Sequence, residues 1–176
     1  SGNAEGLGAA ARFEYPKGIT RDSAGNLYVV DGETIRKVRP DGMVSTLADK
    51  AGTVINIAGA AYITVDNAGN LYVNEFSSIR RISPDGTTAP LANASGTISL
   101  QEIYGLCSDP AGNLYTAGRN SIQKITPAGT VSTLAGVAGE PGNSDGVGPA
   151  ARFNFPQGIA CAANGSIYVA DTGNSA

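Results

Sequence analysis

Glu75 and Phe76, an acid beside an aromatic, stand in one of four short segments whose residue types suit them to touching another molecule. These segments read Asp31-Gly32-Glu33, Asn74-Glu75-Phe76-Ser77-Ser78, Gly118-Arg119-Asn120-Ser121 and Asp171-Thr172-Gly173-Asn174. Asp31, Glu33, Glu75, Phe76, Arg119, Asn120, Asp171 and Asn174 are therefore the candidate partner-binding residues. Their carboxylates, amides, guanidinium and ring offer hydrogen bonds, charge and apolar contact, but no activated nucleophile. A structural alternative stands beside this reading, in which Phe76 packs on a neighbouring connection. No residue is assigned a catalytic or metal-binding role, and no cofactor is called for.

The composition narrows the chemistry further. The 176 residues include no histidine, which removes Ser-His-Asp and Cys-His nucleophile activation and the usual imidazole ligands of zinc and iron. Two cysteines are too few for a thiolate cage. Carboxylate chemistry and calcium remain open, yet each Asp-x-x-Gly-Asn turn offers one carboxylate, and calcium wants six to eight oxygens. Gly6-Leu7-Gly8-Ala9-Ala10-Ala11 matches a dinucleotide fingerprint, but such a motif must succeed a strand and open a helix. Here it recurs at 146–151 with strands after it, and reads as a loop. A net charge of −3, with no basic block, leaves nothing to neutralise phosphates, so no nucleic acid is expected. No apolar run approaches the ~18 residues of a membrane span. No leader peptide opens the sequence, as expected of a mature or trimmed chain.

These candidate residues must be positioned by a repeated unit. Gly18-Ile19-Thr20-Arg21-Asp22-Ser23-Ala24-Gly25-Asn26-Leu27-Tyr28-Val29 returns from Tyr62, from Gly105 and from Gly158, with marker tyrosines Tyr28, Tyr72, Tyr115 and Tyr168 lying 44, 43 and 53 residues apart. A period of this length built from short strands signals a propeller or solenoid. The first unit predicts strands near 18–22, 26–31, 34–39 and 43–48. Asp22-Ser23-Ala24-Gly25 and Arg39-Pro40-Asp41-Gly42 form the turns between them. The second strand is apolar on both faces and the later ones grow more polar, so burial should fall toward the fourth. Cys107 and Cys161 fall on first strands of adjacent units; stacked sheets lie ~10 Å apart, and two free buried thiols are expected.

With Ile35-Arg36-Lys37-Val38, Pro40-Asp41-Gly42 and Val44-Ser45-Thr46-Leu47-Ala48, the chain resembles the bacterial NHL-repeat β-propellers. Their connector is matched by Asp145-Gly146-Val147-Gly148-Pro149-Ala150-Ala151-Arg152-Phe153 and, at the start, by Glu5-Gly6-Leu7-Gly8-Ala9-Ala10-Ala11-Arg12-Phe13. The resemblance implies an all-β propeller of four-stranded antiparallel blades, with three complete blades and a partial fourth, as in a fragment or part of a larger ring. The blades should span 11–58, 59–101, 102–150 and 151–176. Phe13 and Phe153 should anchor the connectors, with Arg12 and Arg152 bonding local carbonyls or acids. Blade four departs from the pattern in having Ala162 in place of Asp22.

The family implies a non-catalytic binding or scaffold module presenting one propeller face to a protein or glycan, outside the cell, on its surface or in the periplasm. The alternative is an enzyme of the calcium-dependent lactonase or lyase type, with its site in a central channel. An RNA-binding reading, as in some animal NHL proteins, is opposed by the acidic balance. Terminal blades left open should be covered by further blades of a longer chain or by a second copy, because unpaired strand edges recruit partners.

Overall fold

The computed structural model describes residues 1–93, 95–97, 100 and 102–175, and falls into two compact units, Ser1–Pro90 and Leu91–Ala176. In the first unit, β1 (Gly6–Leu7), β2 (Pro16–Arg21), β3 (Leu27–Asp31), β4 (Thr34–Val38) and β5 (Met43–Thr46) form an antiparallel sheet ordered β1-β5-β4-β3-β2. A second sheet runs in chain order through β6 (Ile63–Val65), β7 (Leu71–Glu75), β8 (Ser78–Ile82) and β9 (Thr88–Pro90).

The hairpins form where their turn residues dictate. Asp22 Oδ1 accepts the Asn26 amide at 2.8 Å, while Gly25 takes φ +86°, a conformation closed to most side chains. β3 then emerges in register with both neighbours, Thr20 opposite Tyr28 and Val29 opposite Arg36. Because β3 and β7 are apolar on both faces, each sheet buries its middle. Val30, Ile35, Ile57, Ile63, Val73 and Ile82 belong to one core shared by the two sheets.

The first sheet holds five strands where the repeat predicts four. Gly6 and Leu7 lie along the outer edge of β5, opposite Val44 and Met43, and the Gly8 amide donates to the Gly42 carbonyl at 3.0 Å. After Leu7 the chain makes a single 3-10 turn, Gly8–Ala10, and no α-helix opens there. The arrangement differs from a dinucleotide-binding loop at each point that matters.

In the second unit a small hairpin pairs β10 (Ala92–Asn93) with β11 (Gly96–Thr97). Next comes a four-stranded sheet, β12 (Gly105–Ser108), β13 (Leu114–Gly118), β14 (Ser121–Ile125) and β15 (Val131–Gly136), in that order. β16 (Pro156–Cys161) and β17 (Ile167–Asp171) pair as a two-stranded sheet. All five residues of β13 are buried, whereas the first four of β15 are exposed, so burial falls toward the fourth strand as the pattern predicts. The blade boundary expected at Gln101 and the terminal Ala176 lie outside the described residues.

One expectation is overturned. Cys107 on β12 and Cys161 on β16 are joined in a disulfide, with Cα atoms 5.8 Å apart. The ~10 Å spacing of stacked sheets does not hold between these first strands, and the reason is Gly105. A Cβ there would collide with the Gln157 carbonyl oxygen, so the absent side chain lets β12 and β16 touch. The same device operates in the first unit, where a Cβ on Gly18 would stand 2.5 Å from the Ala61 carbonyl oxygen.

A bridge across a sequence separation of 54 residues removes chain entropy from the unfolded state, a stabilisation of about 4 kcal/mol. Paired replacement of Cys107 and Cys161 by Ala should lower the unfolding free energy of the second unit by that order, read as a lower urea midpoint. Urea titrations with and without a reducing agent check this, since the reductant should then have no further effect on the double variant.

Candidate functional site at the loop ends of the blades

Each connector that crosses the end of a blade carries backbone amides that need acceptors. In the first blade the acceptor is Asp31. Its Oδ1 takes the amides of Glu14 and Tyr15 at 2.9 and 2.7 Å, and the residue is only 4% exposed. Arg36, with 0% exposure, completes the anchor. It donates to the carbonyls of Arg12 and Ala4 at 3.0 Å each, faces Asp31 Oδ2 at 3.5 Å and lies over the Phe13 ring. Arg12 itself bonds the carbonyls of Ala9 and Ala11, and Arg152 those of Pro149 and Ala151 together with Glu140.

The second blade does the same work one residue earlier. Asn74, buried, accepts the amides of Ala61 and Tyr62 through Oδ1 at 2.8 and 2.7 Å. Glu75 then pairs with Arg80 at 2.9 Å. In the third blade Asn120 is buried and donates to the Phe153 carbonyl at 3.2 Å. In the fourth, Asp171 accepts the Asn154 amide at 2.7 Å, and Asn174 donates to both Asp171 Oδ2 and the Gly142 carbonyl at 2.6 Å. Asp31 and Asn120 are thus closed to an outside molecule. Asp171 and Asn174 are half-buried and engaged in holding the connector.

A smaller set remains exposed. Glu33 and Phe76 lie at the loop end of the first unit, and Arg119 at that of the second. The Glu33 carboxylate takes the Asn56 side-chain amide at 3.4 Å, and its carbonyl takes the Ile57 amide at 2.8 Å. Gly32 donates to the Tyr15 carbonyl at 3.3 Å, bringing Tyr15 to the same loop. Phe76, at φ 52°, is 75% exposed, yet one ring edge rests on the 57–60 connection: a Cβ on Gly59 would stand 2.8 Å from its Cζ. Tyr15, 67% exposed, is not among the residues singled out from sequence. A signal for it exists, because Tyr15-Pro16 and Phe155-Pro156 place an exposed aromatic at the same step of both connectors.

The Asp turns lie at the other end of the second strands and are chemically closed. Asp22 Oδ2 accepts both Asn26 Nδ2 at 2.8 Å and the Tyr28 hydroxyl at 3.1 Å. Asp66 with Asn70 and Tyr72, and Asp109 with Asn113 and Tyr115, repeat these bonds. Burial alone would raise the Asp22 and Asp109 carboxyls, but the asparagine and tyrosine hydrogen bonds outweigh it and hold both below the usual range. Burial, then the aspartate charge, pushes Tyr28 and Tyr72 up to about 12. Among the described residues no three acidic or cysteine side chains gather where one metal ion could be held. Nor is any helix long and apolar enough to cross a membrane.

The chain's resemblance to known proteins agrees with this architecture. Residues 2–58 match the teneurin NHL domain and residues 153–176 the NHL repeat. Among solved structures it is similar to a chain of the nidogen/laminin complex at 18% identity, with a TM-score of 0.66 and 90% of this chain covering 57% of that one. A gluconolactonase from Xanthomonas campestris is also 18% identical, with a TM-score of 0.63 and coverage of 93% and 57%. Virginiamycin B lyase from Staphylococcus aureus is 17% identical, with a TM-score of 0.60 and coverage of 89% and 49%. The chain spans about half the length of each. No curated protein matches this sequence.

The bonding leads to two expected outcomes. A tyrosine raised by burial and a neighbouring carboxylate stabilises the fold below pH ~10, and that contribution is lost as pH rises toward 12. Absorbance titration at 295 nm should therefore show Tyr28 and Tyr72 ionising near pH 12, and Tyr28→Phe and Tyr72→Phe should each remove one late step. Replacing Arg36 by Lys leaves the fork of carbonyls half-satisfied, so stability should fall by about 3 kcal/mol in urea unfolding.

Proposed function

We propose that this chain, built of NHL repeats and folded as blades of a β-propeller, is a binding module that presents the loop ends of its blades to a protein or glycan. The observation that carries this reading is the pair of exposed aromatics, Phe76 at 75% and Tyr15 at 67%, at the loop end of one unit beside the Glu33 carboxylate. Rings held open to water by a fixed backbone give a partner large contact area at little cost in side-chain freedom. The buried anchors Asp31 and Arg36 hold the connector that carries Tyr15, and Phe76 rests on the 57–60 connection, which lowers the ordering cost of binding.

The similar structures do not separate binding from catalysis, since they include two enzymes as well as a chain from a protein complex. Binding is favoured because the acids and amides of the loop ends are bonded to connectors and to one another. The module is exported, on the cell surface or in the periplasm. The Cys107–Cys161 bond supports that location, because structural disulfides persist in oxidising compartments.

The experiment compares the wild-type chain with Phe76→Ala and Tyr15→Ala on a glycan array and against immobilised extracellular-matrix proteins. Retained signal should drop at least about ten-fold in either variant, with melting temperatures unchanged. Calcium or a transition metal retained at one equivalent per chain, together with lactone hydrolysis, would overturn the reading in favour of an enzyme.

A further inference from the structure

Beside the outer strands of the second blade lies a cavity of about 510 Å³, a size common among small-molecule sites. The 49–56 connection lines one side, and Arg80, Thr87 and Thr88 line the other. Arg80 stands opposite Val73 as Arg36 stands opposite Val29, so the two arginines hold one place in successive blades. Their surroundings differ. In the first blade the connector pairs β1 along β5 and closes over Arg36, whose fork holds the Ala4 and Arg12 carbonyls. In the second the connection folds back on itself, with the Asp49 amide donating to the Thr53 carbonyl at 2.8 Å and Ala48 bridging Val54. Arg80 is left half-buried. Its Nε donates to Glu75 at 2.9 Å, and among the described residues neither Nη has a partner.

Acceptors are open in the same lining. Asp49 Oδ1 takes the amides of Ala51 and Thr53, and Oδ2 has no partner among the described residues. Asn56 donates through Nδ2 to Glu33, which leaves its Oδ1. The charges, by contrast, are already met, because Glu75 pairs with Arg80 and Asp85 with Lys50. An anion here meets Asp49, and a cation meets Lys50 and Arg80. A hydroxyl both donates and accepts, and so suits open donors and open acceptors together. Val54, 49% exposed, and Ala51 add an apolar wall. A peptide strand is disfavoured. Where the first blade has the Thr46 amide, taken by Glu5 at 2.7 Å, the second has Pro90, which carries no N–H to pair.

We infer that this cavity is a subsite for an uncharged sugar ring, whose hydroxyls accept from the Arg80 Nη atoms and donate to Asp49 and Asn56. The inference rests on the reading of the chain as a binding module and narrows its partner to a glycan. The Asn56–Glu33 and Arg80–Glu75 bonds join the cavity to the loop end of the same unit.

The probes are the methyl glycosides of glucose, galactose and mannose, titrated into the ¹⁵N-labelled full chain. Those of glucosamine and glucuronate serve as comparators, since they keep the ring and add a charge of either sign. At least one neutral glycoside should saturate at millimolar concentration and shift Ala51, Thr53, Asn56 and Thr88. It should bind about ten-fold or more tightly than either charged ring. Arg80→Gln gives position 80 the side chain that Gln123 supplies in the third blade, and should weaken binding by about ten-fold. Should that variant unfold, the wild-type shifts and the charge series decide alone. No saturation by any neutral glycoside would overturn the subsite, as would equal binding of a charged ring, shifts centred elsewhere or unchanged affinity in a folded Arg80→Gln. Shifts confined to Phe76 and Tyr15 and lost in their alanine variants would overturn it while the loop-end reading stands. Saturation at the cavity that both alanine variants leave intact would uphold the subsite and sink the role of those two rings.

Discussion

A segment that crosses the end of a blade cannot leave its amides without acceptors once the crossing is covered, and much of the loop chemistry here stems from that demand. Three blades meet it with a side chain placed at or near the end of the second strand, and the third holds a connector carbonyl from the same place. Asp31 and Asp171 use a carboxylate, Asn74 an amide oxygen one residue earlier, and Asn120 an amide nitrogen that holds a carbonyl instead. The first blade adds Arg36, which fastens two further carbonyls from inside. Among the described residues its Nε has no hydrogen-bond partner, so the fork carries the anchor.

The loops consequently divide labour. Residues at the strand end hold the connector, and their neighbours in the chain are left to face solvent. Glu33, Phe76 and Arg119 are exposed because Asp31, Asn74 and Asn120 close by take the inward task. The turns at the opposite end of the second strands are self-contained, each aspartate bonded by an asparagine and a tyrosine of its own hairpin. That closure fixes the hairpins without offering an open carboxylate.

The strands and their burial gradient were legible in the sequence, because a period of 44 or 43 residues repeats both the turn chemistry and the apolar pattern of Leu27 to Val30. The roles of Asp31 and Asn120 were not, since residue type alone does not distinguish an acid that accepts buried amides from one that faces water. The Asp22-Asn26-Tyr28 network was within reach, as its spacing recurs in Asp66-Asn70-Tyr72 and Asp109-Asn113-Tyr115. The disulfide was missed for a geometric reason. Sheet spacing is an average over whole blades, whereas Gly105 lets two strands touch at one point. The added strand at Gly6–Leu7 was hidden because two residues carry no periodicity.

Phe76 and Gly59 bear on how such a surface changes over generations. With φ at +72° and the ring edge where its Cβ would stand, Gly59 tolerates no ordinary side chain while Phe76 keeps its pose. A smaller residue at position 76 relieves that crowding and removes the most exposed aromatic of the loop end in one step. Position 59 is therefore held to glycine twice, by its own φ and by the ring, and the pose of Phe76 depends on an inconspicuous glycine in the connection before its blade.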